Sequence, residues 1–164
     1  MQKTIEQQID RAKELLSAVK HAAMATVNVD GTPHNTPFMF MHDADLKHVY
    51  WGSHPESEHS KNVLRTGEIY VVVYDAVERG GLFLRAVNGH SLEDEELETA
   101  LWIHNQVRKS RGQDELTESF YTGDSPQRMW SAEITGYWVN GSVRGEDGHI
   151  IRDVRTEVHA KDLI

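Results

Sequence analysis

The sequence predicts a mostly β protein in which an antiparallel sheet closes into a small barrel, with helices packed outside it. Three observations favour this class. Short apolar and β-branched runs follow one another along the chain, turn signals separate them, and few segments have helical spacing. The clearest turn signals are Asp30-Gly31, Gly80-Gly81 and Glu146-Asp147-Gly148. Successive hairpins with few long crossovers therefore indicate an antiparallel arrangement.

The first segment is predicted to be an amphipathic helix over residues 4–20. Apolar residues from Ile5 to Val19 recur at helical spacing, and Thr4 with Gln7 has the pattern of a capping box. We expect the barrel, with its helical insertions, to occupy residues 22–158. Residues 1–164 then form a single domain.

Three strands are predicted after this helix. The first runs from Ala22 to Val29, and the third covers residues 47–52. The second passes through residues 36–41 and carries Pro33 and Pro37. Because proline cannot donate to a sheet ladder, these two positions are expected on a sheet edge, at a bulge or at a strand start.

The rest of the chain is predicted to contain helices between strands. The predicted elements are a short helix ending at Gly67, strands over 69–74 and 82–87, a helix between Ser91 and Gly112, a weakly helical stretch over 113–123, and strands over 129–140 and 150–158. The helix after Ser91 has acidic residues at its start and basic residues at its end, as the helix dipole favours.

Composition and charge exclude several classes of protein. The 164 residues include 26 Asp and Glu against 17 Lys and Arg, a formal net charge of −9 that argues against broad nucleic-acid or anionic-membrane binding. No apolar run approaches the roughly 20 residues of a membrane span, and the first residues lack a secretory signal, so we expect a cytoplasmic protein. The absence of cysteine excludes disulfides and iron–sulfur ligation, so any redox chemistry must belong to a bound cofactor.

The segment from Tyr50 to Asn62 carries the most chemistry. A helix start exposes unpaired backbone N–H groups, which hold a phosphate when side chains add further donors. The available donors here are Ser53, Ser57, His59, Ser60 and Lys61, and Trp51 offers an aromatic face just upstream. The alternative is purely structural: Ser53 and Ser57 are caps, Ser53 forms a capping box with Glu56, and Lys61 is solvated.

The order of motifs resembles the pyridoxamine 5′-phosphate oxidase-like family of flavin-binding split barrels. The resemblance rests on the first helix, the Asp-Gly hairpin, the Pro-Phe strand, and Ser53-His54-Pro55-Glu56-Ser57 followed by Ser60-Lys61-Asn62. It continues through 81–86, 125–130 and 137–140, and so covers roughly residues 5–158. It implies an antiparallel split β-barrel of Greek-key-like topology with flanking helices.

The resemblance also implies a homodimer that binds flavin mononucleotide (FMN) at the subunit interface. Carried over by position, the cofactor-binding residues are Thr36, Pro37 and Phe38 along the isoalloxazine, Trp51, Gly52 and Ser53 along the ribityl chain, Ser57, His59, Ser60, Lys61 and Asn62 in the phosphate turn, and Trp138 from the other subunit. The expected function is flavin-dependent oxidation or reduction of a small molecule, with a reduced nicotinamide as electron source. No catalytic side chain is assigned.

Two departures from the family pattern limit this interpretation. Glu58-His59 stands where many relatives have a basic pair, so one expected phosphate cation is replaced by an acid. Residues 141–147 do not reproduce the basic cluster with which the oxidase proper binds its substrate's phosphate, so oxidation of pyridoxamine phosphate is not expected. Because the general field of the chain repels a phosphate, binding must depend on local donors.

Two alternatives stay open. One is a non-enzymatic flavin-binding or stress-related protein, and the other is the same fold with a deazaflavin or haem as ligand. The ten histidines have neither the His-Glu-x-x-His nor the His-x-His spacing of a metal site, so no metal site is expected. The aromatic residues Trp102, Trp130 and Tyr137 are assigned to the core or an interface.

Overall fold

The computed structural model describes residues 4–77 and 80–164. The first three residues, where we expect no secretory signal, lie outside the described residues. The elements are α1 (Ile5–Ala18), β1 (His21–Val27), β2 (Pro33–Met39), β3 (Met41–His42), β4 (His48–Ser53), α2 (Glu58–Thr66), β5 (Ile69–Val73), β6 (Leu82–Ser91), α3 (Asp94–Lys109), a 3₁₀ turn (Glu118–Phe120), β7 (Arg128–Arg144), β8 (Ile150–Val158) and α4 (Ala160–Leu163).

The strands form one antiparallel sheet in the order β2-β1-β5-β6-β7-β4-β3, with β8 added to β7. The sheet curls until its two ends face each other without pairing. Phe38 of β2 crosses this gap and packs edge-on against Trp51 of β4, with ring centroids 6.4 Å apart. The predicted split barrel with outer helices is therefore confirmed.

The main core fills the inside of the curled sheet. Trp51 and Trp130 stack there with centroids 6.3 Å apart, and Leu15 from α1 closes one end. A second apolar cluster lies outside the sheet, where Leu97 and Ala100 of α3 pack on the outer face of β4 and β7. Strand β4 is thus buried on both faces.

Most predicted elements are present, with shifted ends. The first helix ends at Ala18 rather than at residue 20, because Val19 adopts an extended conformation, and its Thr4–Gln7 capping box is confirmed. The edge position of the two prolines is confirmed, since β2 is the terminal strand of the sheet. The weakly helical stretch 113–123 was predicted too generously, because it contains only the 3₁₀ turn.

Two strands run further than predicted. Strand β6 continues to Ser91, past a register shift that lies between Val87 and His90. Strand β7 continues to Arg144, because β8 pairs along its extension. None of the described helices combines the length and apolar character that a membrane crossing requires.

Candidate functional site

The junction between β4 and α2 brings together most of the predicted phosphate ligands. Ser57 is the N-cap residue of α2, and the first helical hydrogen bond runs from the Lys61 N–H to the Ser57 carbonyl, at 3.0 Å. The N–H groups of residues 58–60 precede that bond, so they have no helical acceptor. The Ser57 hydroxyl makes no capping hydrogen bond. Four donors therefore converge at this helix start.

Behind this helix start, two serines and a histidine bond to one another. The Ser53 hydroxyl lies 2.7 Å from His59 Nε2, and the Ser60 hydroxyl donates to Ser53 Oγ at 3.0 Å. Ser53 and Ser60 are buried, and burial lowers the pKa of His59, with a smaller contribution from His34. The His59 side chain is therefore neutral at neutral pH and does not supply a positive charge.

The inner face of β2 lies beside the start of α2. His34 stacks on His59, with ring centroids 6.4 Å apart and an interplanar angle of 17°. Thr36 and Phe38 follow on the same face, because strand side chains alternate, whereas Pro37 is exposed on the other face. Thr36 and Phe38 therefore lie on the same face of β2 as His34, which contacts His59 of α2. Pro37 lies on the opposite face.

His34 is a residue that sequence reasoning missed. The signal that could have found it is the two-residue spacing to Thr36 and Phe38 along β2. Its contact with His59, 25 positions away, depends on how α2 packs beside β2 and has no local signature.

The charged groups of this region lie at the surface. Lys61 Nζ is 3.1 Å from Glu56 Oε2, and the Lys61 side chain is 51% exposed. Glu58 is exposed one residue before His59. The alternative capping box between Ser53 and Glu56 is not formed, because the Ser53 hydroxyl bonds within the buried cluster and Glu56 pairs with Lys61.

Three other predicted ligands lie in the protein interior. Trp51 is only 1% exposed and Phe38 is buried beside it, so neither side chain presents a ring face to solvent. The Asn62 amide donates to Thr26 Oγ1 at 3.1 Å and to Asn28 Oδ1 at 2.9 Å, which ties α2 to β1. In this chain the three residues fix the position of the β4–α2 junction.

Gly52 faces the opposite side of β4 from the Ser53 cluster. A Cβ at this position would lie 3.1 Å from the hydroxyl oxygen of Tyr121. Glycine therefore allows the segment after the 3₁₀ turn to pack directly on β4.

Trp138 lies far around the sheet from the other predicted ligands. Its ring stacks on Tyr70 on the outer face of β5–β7, with centroids 6.2 Å apart. The neighbouring Val139 points into the core instead. Beside Trp138, the Arg155 guanidinium lies 3.9 Å from the centre of the Phe83 ring. Within one chain, Trp138 is therefore not in contact with the predicted ligands at the start of α2.

Residues 4–77 and 80–164 contain no group of side chains arranged to bind a metal ion. No three His, Asp or Glu side chains converge there in a way that would hold an ion. The chemistry available at the β4–α2 junction is therefore hydrogen bonding to an anion, by backbone N–H groups, hydroxyls and one lysine.

Comparisons with known proteins identify relatives of this chain. Residues 9–139 match the family model described as pyridoxamine 5′-phosphate oxidase. No curated protein sequence matches significantly.

Solved structures share the fold at low sequence identity. A haem-binding protein from Mycobacterium smegmatis is 15% identical with a TM-score of 0.63, and the match covers 95% of this chain and 59% of that one. A Clostridium acetobutylicum protein related to general stress protein 26 of B. subtilis is 15% identical with a TM-score of 0.61, over 94% and 97%. An F420 reductase is 19% identical with a TM-score of 0.54, over 76% and 94%.

Proposed function

The chain belongs to the pyridoxamine 5′-phosphate oxidase family, and from this premise we propose that it binds FMN with the phosphate at the start of α2. The observation that carries the proposal is the convergence of donors there. Three backbone N–H groups without a helical acceptor and the unbonded Ser57 hydroxyl are the donors that a phosphate requires. Lys61, on the first turn of the same helix, adds a positive charge.

The electrostatics of this site differ from those of a strongly basic phosphate site. His59 is neutral because of its burial, and Lys61 is shared with Glu56. Glu58 adds a negative charge at the helix start. We therefore expect FMN affinity to rise several-fold in Glu58→Arg, because the substitution restores a cation beside the phosphate.

The flavin ring is proposed to lie along β2, with the partner subunit supplying Trp138. Thr36 offers a hydroxyl on the inner face of β2, and Pro37 lies at its exposed side. Trp138, Tyr70 and Phe83 form an aromatic group on an outer sheet face, and aromatic residues are enriched at protein interfaces. A homodimer that joins these two surfaces would complete the site.

We propose that the bound flavin serves oxidation or reduction of a small molecule. When bound, FMN supplies the electron-transfer chemistry. The residues of the chain bind and orient the cofactor: α2 holds its phosphate, β2 lines its ring, and the buried Ser53–His59–Ser60 cluster fixes the turn between them.

Haem is the second candidate, and the stacked His34–His59 pair favours it. The two rings stack on each other between β2 and α2, and a neutral imidazole is a common axial ligand of haem iron. The M. smegmatis structure of the same fold is that of a haem-binding protein. A deazaflavin is a third ligand of related chemistry, since the similar F420 reductase acts with one.

Titration of the purified protein with FMN, followed by flavin fluorescence, tests the proposal. We expect saturable binding by the unmodified chain and a loss of at least about tenfold in Lys61→Glu and Ser57→Glu, because each places a negative charge beside the phosphate. Lys161→Glu on α4 makes the same charge change elsewhere and should bind like the unmodified chain.

Ligand titrations of the same proteins distinguish FMN from haem. Failure of the unmodified chain to bind FMN, or equal losses in Lys61→Glu and Lys161→Glu, would contradict the FMN site. Haemin binding that produces a Soret band and is lost in His34→Ala and His59→Ala would assign the site to haem.

Enzyme and carrier are separated once FMN is bound. Anaerobic addition of reduced nicotinamide should bleach the flavin near 450 nm, and a small-molecule acceptor should restore the absorption. A flavin that no donor reduces would indicate a non-enzymatic flavin-binding protein.

A further inference from the structure

A cavity of about 310 Å³ lies on the outer face of the sheet, against α3. Its floor is a set of cross-strand neighbours: Tyr50 of β4 pairs with Ser131 of β7, which pairs with His90 of β6 on its other side. His48 and Glu133 form the next pair along the same strands. The volume is at the lower end of the range for small-molecule pockets.

This cavity is separate from the proposed cofactor site. Tyr50 points to the outer face of β4, whereas Trp51 and Ser53 point into the barrel and toward α2. A ligand in the cavity would contact α3 and the sheet but not the α2 helix start. Binding in this cavity is therefore independent of which cofactor the barrel holds.

Tyr50 and Ser131 are largely buried residues whose hydroxyl groups open onto the cavity, and neither hydroxyl has a hydrogen-bond partner in the described chain. Tyr50 is 7% exposed and Ser131 is 4% exposed. A hydroxyl that opens onto a cavity takes its hydrogen-bond partner from water or from a bound molecule. Two such hydroxyls side by side are therefore available to form hydrogen bonds with a bound molecule.

The charges around the cavity are negative. Glu96 and Glu133 line it, and Asp43 lies behind His48, with 2.8 Å between Asp43 Oδ2 and His48 Nδ1. The pKa of Tyr50 is raised, chiefly by burial and further by the carboxylates of Asp43 and Glu96. Its described lining residues include no lysine or arginine, and its two histidines, His48 and His90, each contact one of these carboxylates. The cavity therefore favours a positive charge.

A backbone irregularity shapes one wall. Asn88 has a φ of 56°, a conformation that residues other than glycine seldom adopt, and the β6 register shifts between Val87 and His90. The shift presents Asn88 and His90 to the cavity. Asn88 then donates to Glu133 Oε2 at 3.2 Å, and His90 Nε2 lies 3.4 Å from Glu96 Oε2, so both carboxylates are held in place.

We propose that this cavity is a second small-molecule site, for a compact organic ammonium ion. Glu96 and Glu133 supply the opposite charge, and the Tyr50 and Ser131 hydroxyl oxygens accept hydrogen bonds from the ammonium group. The Tyr50 ring and Leu92 contact the carbon skeleton of the ligand.

Benzylamine is a suitable probe, because it is a small ammonium ion that carries one ring. Binding is followed by chemical-shift changes of backbone amides in the full-length protein, with benzyl alcohol as the uncharged analogue. We expect saturable shifts at residues 48–50, 88–90 and 131–133. Benzyl alcohol should bind at least about tenfold more weakly, because it lacks the charge.

Variants locate the site and its charge. Glu96→Gln combined with Glu133→Gln should weaken benzylamine binding at least about tenfold, and Tyr50→Phe should weaken it about threefold. Glu98→Gln makes the same change on an α3 residue that does not line the cavity, so it should change the affinity less than about twofold.

Three outcomes would overturn the proposal. They are the absence of any shift in these amides with benzylamine, equal affinity for benzyl alcohol, and equal losses in Glu98→Gln and in the double variant. Thermal unfolding of each variant shows that a loss of binding is not a loss of fold.

Discussion

Two hydroxyl groups on opposite faces of β4, those of Ser53 and Tyr50, are partnered differently. On the inner side, Ser53 bonds with His59 and Ser60, and the indole of Trp130 donates to the Ser53 carbonyl at 3.1 Å. On the outer side, Tyr50 has no hydrogen-bond partner in the described chain, although it is equally buried. The same strand therefore carries one hydroxyl that is bonded within the protein and one that opens onto a cavity. Between them, the buried indole N–H of Trp51 has no hydrogen-bond partner in the described chain.

This difference assigns different roles to the two faces. A cluster that satisfies its own hydrogen bonds is held in one geometry, so the inner side is a rigid support for the start of α2. A hydroxyl that opens onto a cavity and has no partner within the protein is available to a ligand, so the outer side is a place for binding. Substitutions on the two faces should consequently change different measured quantities.

The largest expected effect is loss of the inner core in Trp130→Ala. Trp130 is fully buried and stacks on Trp51, so its removal leaves a large cavity and frees the Ser53 carbonyl. The free energy of unfolding should fall by about 3–5 kcal/mol in urea titrations. Trp102→Ala removes an exposed tryptophan and should change it by less than about 0.5 kcal/mol. Similar losses in both variants would place Trp130 outside the essential core.

The second largest effect is a pH dependence of the unfolding free energy, which arises from His104 on α3. Burial, with repulsion from Arg108 and Arg111, lowers the pKa of His104 to about 4. The unfolded chain therefore binds more protons between pH 6.5 and pH 4, so stability should fall as the pH is lowered through this window, by about 2–3 kcal/mol.

The contribution of His104 is measured as a difference between proteins. His104→Gln should flatten the pH dependence of the unfolding free energy, more than His59→Gln does on the inner side. The pKa of His59 is also lowered by burial, so it contributes with the same sign. Parallel curves for His104→Gln and the unmodified chain would contradict the assignment.

The third effect concerns the link between α2 and β1. Asn62→Ala removes one buried and one partly buried hydrogen bond and leaves Thr26 Oγ1 and Asn28 Oδ1 without the Asn62 donor. Unfolding in urea should show a loss of about 2 kcal/mol. Lys61→Ala, at the adjacent exposed position, should change stability by less than about 0.5 kcal/mol. If both variants are equally stable, Asn62 does not hold the helix in place.

The smallest effect compares two tyrosines on the outer side. Tyr50→Phe removes a hydroxyl without a partner, so stability should change by less than about 0.5 kcal/mol. Tyr121→Phe removes the hydroxyl that lies 2.8 Å from His104 Nδ1, and this should cost about 1–2 kcal/mol. A larger loss in Tyr50→Phe than in Tyr121→Phe would show that Tyr50 already has a partner.

Local sequence patterns predicted the hairpins and the first helix because each depends on neighbours along the chain. Asp30-Gly31 forms its turn, and Thr4 caps α1, with contacts no more than a few residues apart. The grouping of Ser57 to Lys61 was predicted in the same way, since these residues form a single helix start. These features needed no knowledge of tertiary packing.

Other features depend on which residues meet across the sheet. Trp51 was expected along a ligand, and its burial follows from the strand face it occupies and from its stacking on Trp130. The cavity beside Tyr50 requires the pairing of residue 50 with residue 131, and the β6 irregularity at Asn88. No short sequence pattern encodes a register between strands so far apart in the chain.

The central claim, that the start of α2 holds the phosphate of a flavin, is tested most directly by comparing FMN with riboflavin. The two molecules differ only in that phosphate. We predict that the unmodified chain binds FMN more tightly by a factor on the order of one hundred, and that Lys61→Glu reduces this ratio at least about tenfold while riboflavin affinity stays the same. Equal affinities for FMN and riboflavin, or a ratio unchanged in Lys61→Glu, would contradict the account.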